Sequence, residues 1–95
     1  MNFVQEVANN EAQLVDVRSK QEFKSGHAEG ALHLPLNRIE AGETDGLEET
    51  MPVYVYCASG GRSGMAQSYL KRAGYDVQNI GGLSNWAAAG GKVVK

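Results

Sequence analysis

Cysteine is nearly missing from this chain: Cys57 is the only one in 95 residues. A single cysteine rules out an intrachain disulfide, so the fold does not depend on an oxidising compartment. No apolar run approaches the roughly 20 residues of a membrane-spanning helix. There is no block of basic residues and the net charge is only −2, which argues against nucleic acid and anionic membrane as partners. One cysteine and two scattered histidines give no metal-ligand spacing, so neither a metal nor another cofactor is expected. The opening residues, Met1-Asn2-Phe3-Val4-Gln5-Glu6, lack the basic and apolar regions of a secretory signal. A cytoplasmic location is the expectation, unless a leader has been replaced by a methionine. What remains is ordinary for one globular domain over residues 1–95, with 42% apolar residues to supply one modest core.

The most informative segment is Cys57-Ala58-Ser59-Gly60-Gly61-Arg62-Ser63. It follows the compact apolar run Val53-Tyr54-Val55-Tyr56 and precedes an amphipathic stretch from about Arg62 to Ala73. Strand, glycine-containing loop and helix N-terminus succeed one another. A thiol placed there meets backbone N–H groups and the positive end of a helix dipole, and both favour thiolate. Thiolate is the nucleophilic form, so the position suits covalent chemistry on sulfur or the holding of an anion. Gly60 and Gly61 permit positive φ and keep Cβ atoms out of the anion's way.

The rest of the chain alternates short strands with helices. Phe3, Val4 and Val7 line one face of a short opening helix. Leu14-Val15-Asp16-Val17 reads as a strand, and Ser19 with Glu22 forms a capping-box pattern for a helix that stops by Gly26. Ala31-Leu32-His33-Leu34 is a second strand ended by Pro35, with a helical turn at 36–41 and a loop over 42–46. Pro52 opens the strand 53–56. In the helix that follows, Met65, Ala66, Tyr69, Leu70 and Ala73 share a face, and Gly74 is placed as the C′ glycine. A strand over 75–80, a Gly81-Gly82 turn and a helix over 83–89 holding Trp86 complete the chain. The pattern predicts an α/β fold, a parallel sheet of about four or five strands with helices on both faces. Ligands bind such sheets at the carboxyl ends of strands, where Cys57 falls.

Taken together, these segments resemble the rhodanese family in its single-domain form. The likeness rests on Leu14-Val15-Asp16-Val17-Arg18, Glu22-Phe23, Gly26-His27, Gly30-Ala31, Leu34-Pro35, the 57–63 loop, and Gly81-Gly82-Leu83 with Trp86. The resemblance implies a thiosulfate sulfurtransferase of rhodanese-like fold. Cys57 would attack the outer sulfur of thiosulfate or a similar donor, carry it as a persulfide and yield it to cyanide or a thiol. The N–H groups of Ala58, Ser59, Gly60, Gly61, Arg62 and Ser63 would cradle the sulfur. A thioredoxin-like protein is among the acceptors that such chemistry would suit.

Each side chain near the loop also has a plainer reading. Arg62 either meets an anionic donor or pairs with a carboxylate, and Ser63 either caps the helix, the favoured reading, or donates to the persulfide. Asp16 and Arg18 read as structural support for the loop, through Arg18 with Glu22 or Asp16 with loop N–H groups. His27 is expected to bond backbone after Gly26, and Trp86 and Tyr69 to be core aromatics. Two rival functions remain. A phosphatase or arsenate reductase would resemble a Cys-x5-Arg loop, whereas here four residues separate Cys57 from Arg62. A persulfide carrier or sulfur sensor would use the same thiolate without rapid turnover on small molecules.

Overall fold

The computed structural model describes residues 2–95. Four parallel strands form the central sheet: β1 (Gln13–Asp16), β3 (Leu32–His33), β4 (Val53–Cys57) and β5 (Val77–Gly82), in the spatial order β3-β1-β4-β5. Both faces are covered, which is why β4 reads as a continuous buried run. On one face Val15, Val17, Val53, Val55, Cys57 and Val77 pack with Ile39 of α3 (Leu36–Glu40) and with Ala66 and Leu70 of α4 (Gly61–Arg72). On the other, Leu14, Tyr54 and Tyr56 pack with Trp86 of α5 (Leu83–Ala88) and with Phe3, Val4 and Val7 of α1 (Phe3–Ala8). The valine–tyrosine alternation of β4 therefore splits cleanly between two half-cores. Among the described residues no helix is long and apolar enough to cross a membrane.

Local signals account for the helix ends that matter to the site. Ser19 and Glu22 form the capping box at the start of α2 (Lys20–Ser25), which ends at Gly26. At the far end of α4, Gly74 donates to the Lys71 carbonyl and Tyr75 to the Leu70 carbonyl, both at 3.1 Å, which closes the helix in a Schellman motif.

Several expectations are corrected. Gly81-Gly82 is not a turn. The pair ends β5 in register with Tyr56 and Cys57, after an irregularity between Val55 and Tyr56. Tyr69 is not a core aromatic but is 37% exposed, with the Arg72 guanidinium 6.0 Å above its ring. The buried stripe of α4 is Ser63, Ala66 and Leu70, so Met65 and Tyr69 sit at its edge and look outward. A two-stranded antiparallel ribbon joins β2 (His27–Ala28) to β6 (Val93–Val94). Its strands are two residues long, too short for any periodic pattern to mark them.

Candidate active site

Two adjacent strand ends build the site. At the end of β1 lies Asp16, fully buried, beside Tyr56 of β4. The Arg18 backbone N–H donates to Asp16 Oδ1 at 2.8 Å, and the Arg18 guanidinium reaches the carboxylate through Nε at 3.0 and 3.1 Å and Nη2 at 2.8 Å. Tyr56 donates its hydroxyl to Asp16 Oδ2 at 2.6 Å and accepts the Ala28 N–H at 3.0 Å. Arg18 also donates to the Gly26 carbonyl at 2.6 Å. Burial, and then the bond to Asp16, push the Tyr56 phenol well above its ordinary value. Asp16 and Arg18 thus pair with each other, not with loop amides or Glu22 as expected. The node knots β1, β4, the ribbon and the end of α2 together.

At the end of β4 lies Cys57, only 1% exposed. The thiol is enclosed because β1 and β5 flank its strand and Ala66 and Leu70 lie over the same face. The Gly60 N–H donates to Sγ at 3.0 Å, and the Ser63 hydroxyl stands 3.4 Å away. Burial alone would raise the thiol's pKa. The Ser63 hydroxyl and the N–H groups of Ser63, Gly60 and Ser59 outweigh it and bring the value down to about 7. The loop can turn its amides inward because Gly60 adopts φ 102°, a left-handed conformation that costs glycine little. Gly61 does not share that conformation; it opens α4 instead. Gly82, paired with Cys57, lies against the Ala58 carbonyl so closely that a Cβ would collide with it.

The remaining loop residues take distinct places. Ala58 and Ser59 are exposed beside the buried sulfur. Arg62 is engaged: Nη1 and Nη2 donate to Glu22 Oε1 and Oε2 at 2.6 and 2.9 Å, a two-pronged bridge from α4 to α2. Those bonds, followed by the Ser19 N–H, hold the Glu22 carboxyl down at about 2. Ser63 does not cap the helix. Gly60 occupies the N-cap position, and the Ser63 side chain turns into the site. His27 bonds the Phe23 carbonyl through Nδ1 at 2.8 Å, as expected of the turn after Gly26.

One organiser escaped the sequence reading. Asn79 on β5 donates Nδ2 to the Gly60 carbonyl at 3.0 Å. Its Oδ1 accepts the Gly81 N–H at 2.9 Å and the Ser63 hydroxyl at 2.7 Å. The available signal was an asparagine inside a strand just before Gly-Gly, where strand propensity is poor and the local rule is broken for the sake of a site.

A lone thiol at the carboxyl end of a central parallel strand, held by the amides that lead into a helix, defines a cysteine-loop α/β domain. The chain belongs to the rhodanese-like domain family, whose match covers residues 2–89. It is 38% identical over 84 residues to the protein YqhL of Bacillus subtilis, covering 86% of this chain and 64% of that one. It is 40% identical over 77 residues to the adenylyltransferase and sulfurtransferase uba4 of Ogataea parapolymorpha, covering 78% of this chain and 20% of that one. This chain therefore spans only part of the length of these relatives. Among solved structures it is similar to a rhodanese with anions from E. coli, with a TM-score of 0.76 and 32% identity over 88% of this chain and 98% of that one.

Proposed function

We propose that this domain is a sulfurtransferase working through a Cys57 persulfide. The observation that carries the reading is the Gly60 N–H on the sulfur at 3.0 Å, in a site that brings the thiol to about 7. Near neutral pH much of the thiol is then ionised and no separate base is required. The thiolate attacks the outer sulfur of thiosulfate or another sulfane donor. The donor's S–S bond breaks and its electron pair leaves with sulfite or with the donor thiolate. The outer sulfur of the new persulfide bears the negative charge, which the loop amides stabilise. An acceptor, cyanide or a thiolate, then attacks that outer sulfur and Cys57 departs as thiolate, ready for another cycle. Membership of the family and the likeness to a sulfurtransferase support this chemistry.

The test is mass spectrometry after incubation with a sulfane donor. The wild type is expected to gain the mass of one sulfur atom at Cys57 and to lose it to cyanide with release of thiocyanate, whereas Cys57→Ala does neither. A wild type that never gains sulfur from any donor overturns the proposal.

A further inference from the structure

One side chain on a neighbouring strand reaches both Gly60 and Ser63, two of the residues that hold the Cys57 sulfur. Asn79 stands on β5, shortly before the Gly81-Gly82 end that pairs with Tyr56 and Cys57. Its Nδ2 donates to the Gly60 carbonyl at 3.0 Å, while Oδ1 accepts the Gly81 N–H at 2.9 Å and the Ser63 hydroxyl at 2.7 Å. A main-chain N–H only donates and a carbonyl only accepts, so these partners fix which way the amide faces. Aspartate would lack the donor and glutamine is a methylene too long. The fit is close, since a Cβ on Gly64 would lie 3.5 Å from Nδ2.

The consequence falls on Gly60. Its N–H is on the sulfur at 3.0 Å, and the residue holds φ 102°. Glycine leaves that region at little cost, and rotation there would swing the N–H off the sulfur. Two bonds restrain the carbonyl of the same residue. The Gly64 N–H, at 3.0 Å, ties it to the first turn of α4. Asn79 Nδ2 ties it to the sheet, on the strand beside the one that carries Cys57. The second bond is the one that holds the loop in register with the sulfur.

We propose that Asn79 is a positioning residue for the Cys57 nucleophile: by fastening the Gly60 carbonyl to β5 it keeps the Gly60 N–H aimed at Sγ. This rests on the reading of Cys57 as the nucleophile and deepens it. Asn79 acts through Gly60 and takes no part in bond making or breaking. Its bond from Ser63 works in the opposite sense, because it draws toward Oδ1 a hydrogen that the sulfur also faces. The two effects separate once Ser63 is silent.

The experiment therefore compares Ser63→Ala with Ser63→Ala/Asn79→Ala and reads the Cys57 alkylation rate against pH, with no sulfur donor present. The double variant is expected to hold its thiol about half to one pKa unit higher, a share of what one hydrogen bond to an anion supplies. Below neutral pH its alkylation should be slower by about threefold to tenfold. Asn79 is exposed, and the ion pairs of Arg62 with Glu22 and Arg18 with Asp16 are untouched. A merely structural role would thus move the urea midpoint and leave the thiol in place. Asn79→Leu in the same background keeps the size of the side chain and none of its bonds, and the same rise is expected; it carries the test if the alanine variant does not melt cooperatively. A thiol unmoved by these substitutions in folded protein overturns the positioning role and leaves the persulfide reading standing. A wild type that loads sulfur from no donor overturns the persulfide reading, while the alkylation profile still decides whether Asn79 supports the thiolate.

Discussion

Two anionic groups lie side by side at the carboxyl ends of neighbouring strands, and the protein treats them in opposite ways. Asp16, ending β1, is met by a guanidinium, a backbone N–H and a phenol. Cys57, ending β4, is met by backbone N–H groups and a serine hydroxyl, all of them neutral. A buried carboxylate locked to a buried cation is a fixed structural post, with no pair of electrons free to react. A thiolate held by neutral dipoles is stabilised enough to form, yet its charge is not quenched. On the proposed function the two strand ends divide the work, one holding the site in place and the other supplying its nucleophile.

The sharpest way to break the comparison is to remove one partner from each. Asp16→Ala strands the Arg18 guanidinium in a buried position, and the expected loss is about 3–5 kcal/mol, read by urea denaturation. Cys57→Ala removes the proposed nucleophile but leaves no ion stranded, so below about pH 7, where the thiol is protonated, its cost should stay near about 1 kcal/mol. Equal losses at the two positions would show that Asp16 is not the structural post described.

A second, smaller effect concerns pH. The folded thiol titrates at about 7, below the value of an unperturbed cysteine. Between those two values the unfolded chain binds the extra proton, so stability rises with pH across that window. The contribution is complete above the unfolded value and is lost as pH falls through about 7, amounting to about 2 kcal/mol. It is measured as the difference between wild type and Cys57→Ala in urea melts at successive pH values. The alkylation rate of Cys57 should have its midpoint at the same pH. A difference that stays flat from neutral to alkaline pH would mean that the neutral donors do not favour the thiolate.

How much of this was legible in the sequence follows from the range of each interaction. The capping box at Ser19 and Glu22, the C′ glycine at Gly74 and the strand–loop–helix around Cys57 are local patterns, and each stands where the residues put it. The partner of Arg62 is 40 residues away, and only the packing of α2 against the loop brings it there. Arg62 and Glu22 each carried a sufficient local explanation, so nothing in the string demanded that they meet. Asn79 was hidden for the same reason, being 19 residues from the Gly60 carbonyl it fastens. Tyr69 was misplaced because helical periodicity gives a stripe but not its edges, and a phenol at the edge of the stripe is free to turn outward.

The smallest effect tests how neutral donors are shared. The Ser63 hydroxyl has one hydrogen and three acceptors in view: Asn79 Oδ1 at 2.7 Å, and Cys57 Sγ and the Gly81 carbonyl at 3.4 Å each. Asn79 Oδ1 therefore competes with the sulfur for that hydrogen, and the backbone N–H groups are the steadier support of the sulfur. Ser63→Ala should therefore raise the thiol above about 7 by less than about one pKa unit, because the Gly60 bond survives. Thiolate absorbance followed against pH gives the number. A rise of about two units or more would place the hydrogen on sulfur. The cradle would then be the work of one side chain, and the contrast with Asp16 would narrow to whether a guanidinium bonds the anion directly.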